Sequence, residues 1–183
     1  MKHIYFIREA VKNFRLTGSL MPSQRFLVNK LVAPVPRHAR CVIELGAGEG
    51  CVTRALEEKV SPECIILSFE INPDLSDMYK SRRPSTIQIN DSAEQLEHYI
   101  KKYNLADNID CVVSSLPLAS LPKHMTRSIL GTIAQNMPST GKYIQFQYSL
   151  LNKKDIGSHF DIIKTHFVPL NILPAFVYVC TKK

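Results

Sequence analysis

Three acids, a run of glycines and one proline-fixed corner hold the types and spacing that chemistry needs. The stretch ELGAGEG, Glu44 to Gly50, sets Gly46, Gly48 and Gly50 on alternate positions around Ala47 and Glu49. Glycine lets a backbone turn sharply and approach a ligand closely. A helix beginning behind such a turn offers free N–H groups and a partial positive charge. Pyrophosphate commonly occupies that place, yet Glu44 opens this turn and would repel phosphate. An acid there suits a ligand that carries positive charge. Glu70 follows Gly50 by about 20 positions, the spacing at which an acid takes ribose hydroxyls. Asp91 ends the next apolar run and is suited to accept a hydrogen bond from a nucleobase amino group, with Ile71 and Ser92 around the ring. The corner SSLPL, Ser114 to Leu118, offers small hydroxyls and a carbonyl whose direction Pro117 limits.

A ligand with a cationic amino-acid end, a ribose and an adenine fits these acids, and S-adenosylmethionine is the expected cofactor. Its expected lining is Glu44, Gly46, Ala47, Gly48, Gly50, Glu70, Ile71, Asp91, Ser92 and Ser114. Methyl transfer to nitrogen is an in-line displacement by a lone pair. An alkyl ammonium has a pKa near that of lysine, about 10.4, and must first lose a proton. The site then needs acceptors that aim the N–H bonds aside, and most of the rate comes from positioning. Ser115 Oγ and the Leu116 carbonyl are the expected acceptors, with Pro117 holding their direction. Leu118 is expected as an apolar wall, and Tyr5 and Tyr148 stand with it on the substrate side. Enzymes that act on a nucleobase commonly begin this corner with Asn or Asp and end it with an aromatic residue. Neither is present, which points to an aliphatic amine.

These residues need a scaffold, and the pattern of apolar runs supplies one. CVIEL (41–45), IILSFE (65–70), TIQIN (86–90), DCVVSS (110–115) and KYIQFQY (142–148) read as strands, each followed by a helical segment. HFVPLNILPAFVYVC reads as two further strands joined by a proline-containing turn. The expected fold is α/β: a doubly wound, mostly parallel seven-stranded sheet with an antiparallel C-terminal hairpin. Residues 1–16 read as a basic helix with Ile4, Ile7, Val11 and Phe14 on one stripe, and 23–33 as a second helix. We expect residues 1–33 to form a helical cap, read also as a membrane-contact element. Residues 38–183 form the methyltransferase domain, and the two make a single unit.

Composition narrows the partners. The chain has 183 residues and a formal charge of +7, which points to an anionic partner. No apolar run is long enough to span a bilayer, and Arg8, Glu9, Lys12 and Asn13 interrupt any leader-like core. Five scattered cysteines, Cys41, Cys51, Cys64, Cys111 and Cys180, read as reduced packing residues. The histidines show no ligand spacing, so no metal is expected.

Taken together, TGSLMPS (17–23), VIELGAGEGCVTRAL (42–56), FEINP (69–73), VVSSLPLASLP (112–122), GKYIQFQYS (141–149) and NILPAFVYV (171–179) resemble the bacterial phospholipid N-methyltransferases. The resemblance spans nearly the whole chain in order. It implies a class I, Rossmann-like fold and stepwise methylation of phosphatidylethanolamine toward phosphatidylcholine, or of ornithine lipids in close relatives. It also implies that Ser19, Leu20 and Ser23 lie near the methionine part of the cofactor and that the N-terminal helix meets anionic membrane. A monomeric enzyme on the cytoplasmic face of a bacterial membrane, without nucleic acid, is the corresponding expectation. Two other readings stay open. One is an enzyme like the rRNA adenine N6-dimethyltransferases, which share the fold and suit a basic charge. The other is a methyltransferase fold used only for binding.

Overall fold

Alternation along the first strand decides the layers. In β1 (Cys41–Leu45), Cys41, Ile43 and Leu45 point to one face of the sheet and Val42 to the other. A computed structural model describes residues 22–106, 108–169 and 174–183 of the chain. The expected N-terminal helix over 1–16, with Tyr5, and the loop carrying Ser19 and Leu20 lie outside the described residues. So does the side chain of Ser23.

Helix α1 (Pro22–Val32) and helix α2 (Cys51–Lys59) cover the Val42 face, where Leu27, Leu31, Val52 and Leu56 meet Ile66, Val113, Ile144 and Val177. Helices α4 (Leu96–Lys102), α5 (Lys123–Asn136) and α6 (Lys153–His159) cover the other face. There Leu96, Ile100, Met125, Ile129, Ile133 and Ile156 pack on Ile43, Leu45, Leu67, Phe69 and Tyr143. Each such buried side chain contributes about 1.5–3 kcal/mol of hydrophobic free energy. The centre of the sheet is therefore dry on both faces, as a parallel α/β sheet requires. On α1, Phe26 does not join Leu27 and Leu31 in the core but stands 52% exposed.

Strands β2 (Ile65–Phe69), β3 (Thr86–Ile89), β4 (Ile109–Ser114), β5 (Lys142–Gln147), β6 (Phe160–Val168) and β7 (Ala175–Lys182) complete a seven-stranded sheet. Its order is β3-β2-β1-β4-β5-β7-β6, parallel except where β7 pairs antiparallel with β5 and β6. The order reverses between β1 and β4, the switch point where ligands of open α/β sheets bind. Leu45 pairs with Phe69 and with Ser114, so the ends of β1, β2 and β4 are level. The expected C-terminal hairpin is present, and β6 is its outer strand.

One expected helix is cut short. The sequence reads as helical over 73–82, but α3 (Pro73–Ser76) is a single turn capped by the Asn72 side chain, which accepts from Asp74 N at 3.0 Å. Beyond it the chain is claimed by tertiary partners. The Tyr79 hydroxyl donates to Glu57, its carbonyl accepts from Gln88 Nε2, and Ser81 N donates to Gln88 Oε1 at 3.2 Å. These contacts replace the intrahelical bonds that a longer α3 would make.

Candidate active site

The glycine turn is tied to its neighbours by backbone bonds. Gly46 N and Ala47 N both donate to the Phe69 carbonyl at 2.9 Å, and Ser115 N donates to the Leu45 carbonyl at 2.9 Å. Gly46, Gly48 and Gly50 all have positive φ. A side chain at Gly50 would meet the Tyr79 ring at 2.4 Å, whereas nothing lies within 4 Å of the corresponding position at Gly48. Gly50 thus serves the turn and the packing of Tyr79, while Gly48 faces open space.

Glu70 is held by this turn. Its Oε2 accepts from Gly48 N at 2.7 Å and its Oε1 from Asn72 N at 2.9 Å. A carboxylate has about four acceptor positions, so lone pairs remain for two hydroxyls. Asp91 takes Ser92 N at 2.7 Å on Oδ1 and the Tyr99 hydroxyl at 3.1 Å on Oδ2. Ser92, not Asp91, caps the short 3-10 turn that follows, accepting from Glu94 N. Gly46, Glu70, Ile71, Asp91 and Ser92 line one groove, whose apolar walls include Phe69 and Leu116. An adenosine-like ligand needs that combination of carboxylates at the rim and apolar walls for a ring.

Glu44 lies at the foot of the turn, buried. Thr53 Oγ1 from α2 and Ser68 Oγ from β2 both donate to its Oε2 at 2.7 Å. Its Oε1 is buried and has no hydrogen-bond partner among the described residues. Burial raises its pKa to about 7, although the Thr53 and Ser68 bonds pull the other way. An orphaned carboxylate oxygen in this position is what a cationic group on a ligand would complete. The residues present therefore fit S-adenosylmethionine.

The proline corner is also built from the sheet outward. Ser114 is fully buried and its Oγ accepts from Leu116 N at 3.3 Å, so it braces the corner instead of facing the groove. Ser115 is half-buried, and among the described residues its Oγ has no hydrogen-bond partner. The Leu116 carbonyl is heavily used. Leu118 N donates to it at 2.9 Å, Gln145 Nε2 at 3.1 Å and Gln147 Nε2 at 2.9 Å. The expected apolar wall at Leu118 needs correction. A 3-10 turn over Leu118–Ser120 carries that side chain into the core, where it is 1% exposed. Its place is taken by Pro117, Ala119 and Tyr148, which with Ser115, Leu116 and Gln147 line a second recess of about 130 Å³. Leu116 is common to the groove and the recess.

Thr53, Ser68, Gln145 and Gln147 were not expected from sequence. The signal for the glutamines is visible in KYIQFQY: Tyr143, Gln145 and Gln147 recur with period 2 on one face of an otherwise apolar strand. The cysteines are free, and burial raises Cys41 and Cys111 to about 12, as inert packing thiols require. Among the described residues no helix is long and apolar enough to cross a membrane.

Comparison with known proteins bears on this geometry. No protein-family model matches the chain. An ornithine lipid N-methyltransferase of Singulisphaera acidiphila is 28% identical over 180 residues, covering 96% of this chain and 93% of that protein. The N-methyltransferase NodS of Bradyrhizobium japonicum, solved with S-adenosylhomocysteine, superposes with a TM-score of 0.76 at 9% identity, covering 97% of this chain and 98% of that one. TrmN of Thermus thermophilus superposes with a TM-score of 0.70 at 15% identity over 92% of this chain, which spans 51% of TrmN. The sheet order and these likenesses define a class I S-adenosylmethionine-dependent methyltransferase fold. Within that class, the similarity to the ornithine lipid N-methyltransferase runs along nearly the whole length of both chains.

Proposed function

We propose that this protein transfers methyl groups from S-adenosylmethionine to the amine of a lipid headgroup, with phosphatidylethanolamine as the substrate carried toward phosphatidylcholine. The observation that carries the reading is the shared wall at Leu116. The groove with Glu70 and Asp91 and the recess with Ser115 and Tyr148 meet there.

In this reading Glu44, at the foot of the turn, stabilises the charge of the cofactor's amino-acid end. Glu70 holds the ribose and Asp91 the adenine amino group, with Ile71 and Ser92 against the ring. Bound there, the cofactor supplies an electrophilic methyl on sulfonium sulfur. The chain's part is to orient the amine. Ser115 Oγ accepts one N–H bond, and the Tyr148 ring offers a face to the headgroup cation before it loses its proton. The amine gives that proton to water and keeps its lone pair aimed along the line of transfer; with the cofactor bound, that pair would form the new N–C bond while the S–C pair would remain on sulfur. The rate should therefore rise with pH below the amine's pKa of about 10. Ser19, Leu20 and Ser23 close over the groove, and Tyr5 and the basic segment 1–16 bring the enzyme to an anionic bilayer. Residues 1–33 act as a cap on the domain formed by 38–183, and the unit works as a monomer on the cytoplasmic face of the membrane.

The test is radiolabelled methyl transfer from S-adenosylmethionine to phosphatidylethanolamine vesicles, separated by thin-layer chromatography, with ribosomal RNA in parallel. Label in mono-, di- or trimethylated lipid is expected. Label in RNA alone would overturn the lipid reading in favour of an adenine methyltransferase.

A further inference from the structure

The Leu116 carbonyl was the natural second acceptor for the substrate amine, and the structure argues against it. A carbonyl oxygen has two lone pairs, and three N–H donors already converge on this one, from Leu118, Gln145 and Gln147. An incoming amine would have to displace one of them.

The two glutamines differ in what they leave free. Gln145 is fully buried and fully used: its Nε2 also donates to the Phe146 carbonyl at 2.6 Å, and its Oε1 takes the Tyr143 hydroxyl. Gln147 lies one step further out on the same face of β5 and lines the recess beside Ser115. Its Nε2 is held on the Leu116 carbonyl, while its Oε1 accepts no hydrogen bond among the described residues. A carboxamide whose nitrogen is anchored on the corner has its oxygen left as an acceptor. Gln147 is 4% exposed and lines the recess, so this oxygen is an acceptor that the recess can offer a ligand.

We propose that Gln147 Oε1, with Ser115 Oγ, is the acceptor pair that orients the substrate amine in the recess. The inference rests on the lipid-amine reading above. It also makes the steps of methylation unequal. A primary amine, once deprotonated, has two N–H bonds and one lone pair. Two acceptors hold both bonds and leave only the lone pair aimed at the methyl. A monomethylated amine offers one N–H bond and a dimethylated amine none. The pair therefore steers the first methylation most strongly, the second less and the third not at all.

The test uses the full chain with phosphatidylethanolamine and its mono- and dimethyl derivatives, each in phosphatidylglycerol vesicles. Gln147→Met keeps the side chain's length and removes the acceptor. It should lower kcat on the primary amine by about 10–100-fold, the range for a misplaced reacting group. The loss should shrink on the monomethyl lipid and nearly vanish on the dimethyl lipid. S-adenosylmethionine affinity by calorimetry should stay within about twofold, since Gln147 does not line the groove. Gln145→Met removes a donor from the same carbonyl without facing the recess, and should lower all lipids alike. The ratio between lipids is internal to each variant, so a partly unfolded fraction does not disturb it. If wild type acts on the primary amine alone, a loss in Gln147→Met no greater than in Gln145→Met overturns the inference. An equal loss on every lipid also overturns it, with the lipid reading intact. Wild type inactive on every lipid overturns that reading and this inference together.

Discussion

At the scale of single residues, Glu44 links folding, pH and ligand charge. Its folded-state pKa of about 7 stands above the ordinary 4.5 because it is buried, and among the described residues its Oε1 has no partner. Between those values the folded protein keeps a proton that the unfolded chain has released. Stability from this group is therefore full below pH 4.5 and is lost as pH rises through 7, by up to ~3 kcal/mol. Glu44→Gln should remove that slope, read as a smaller difference in urea midpoint between pH 5 and pH 8. A cationic ligand favours the carboxylate form. S-adenosylmethionine should thus bind wild type more tightly at pH 8 than at pH 6, and the variant should bind more weakly with little pH dependence. Calorimetry at the two pH values checks this, and parallel slopes in the two proteins would assign the titration to another group.

At the scale of elements, the join between β1 and α2 depends on two glycines for different reasons. Gly50 has φ +77 and its open side is filled by the Tyr79 ring, whose hydroxyl reaches Glu57 on α2. Gly48 has φ +57 and open space. Gly48→Ala should cost only the left-handed conformation, about 1–2 kcal/mol. Gly50→Ala must also displace the ring, and should cost about 2–4 kcal/mol. Thermal unfolding of the two variants measures the difference. Equal losses would mean that Tyr79 moves aside freely. The same segment explains why α3 stops after one turn, because Tyr79, Ser81 and Gln88 use their polar groups across elements. Arg83 adds to this join by donating to the Glu57 carbonyl at 3.0 Å and the Cys64 carbonyl at 3.2 Å, near the end of α2 and the start of β2.

At the scale of the whole molecule, the sheet brings two cavities to one shared residue, Leu116. β1, β2 and β3 carry the turn, Glu70 and Asp91 to the groove, while β4 and β5 carry the corner and Gln147 to the recess. Nothing in that arrangement by itself brings a lipid to the recess. The basic segment 1–16, with Lys2, Arg8, Lys12 and Arg15 against Glu9, is our proposed means. Removing residues 1–16 should abolish sedimentation with anionic vesicles and leave thermal unfolding of the remaining chain nearly unchanged. Undiminished sedimentation would remove that segment from membrane binding.

Much of this was written locally in the chain. Alternating apolar runs separated by helical periods specify strands, and a parallel sheet follows because each strand must bury both faces. CVIEL, DCVVSS and KYIQFQY needed no tertiary information for that. The acids at strand ends were legible for the same reason: Glu70 and Asp91 follow runs whose direction the topology fixes. What only the tertiary structure decided depends on contacts between distant segments. The turn of Leu118 into the core follows from how the corner packs, which no local spacing encodes. The unpartnered oxygen of Glu44 depends on Thr53 and Ser68, nine and twenty-four residues away, both choosing the other oxygen. The crowding of the Leu116 carbonyl depends on side chains 29 and 31 residues downstream. Hydrogen-bond capacity is spent in three dimensions, so a sequence can name the acceptors near a site but cannot say which of them remain free.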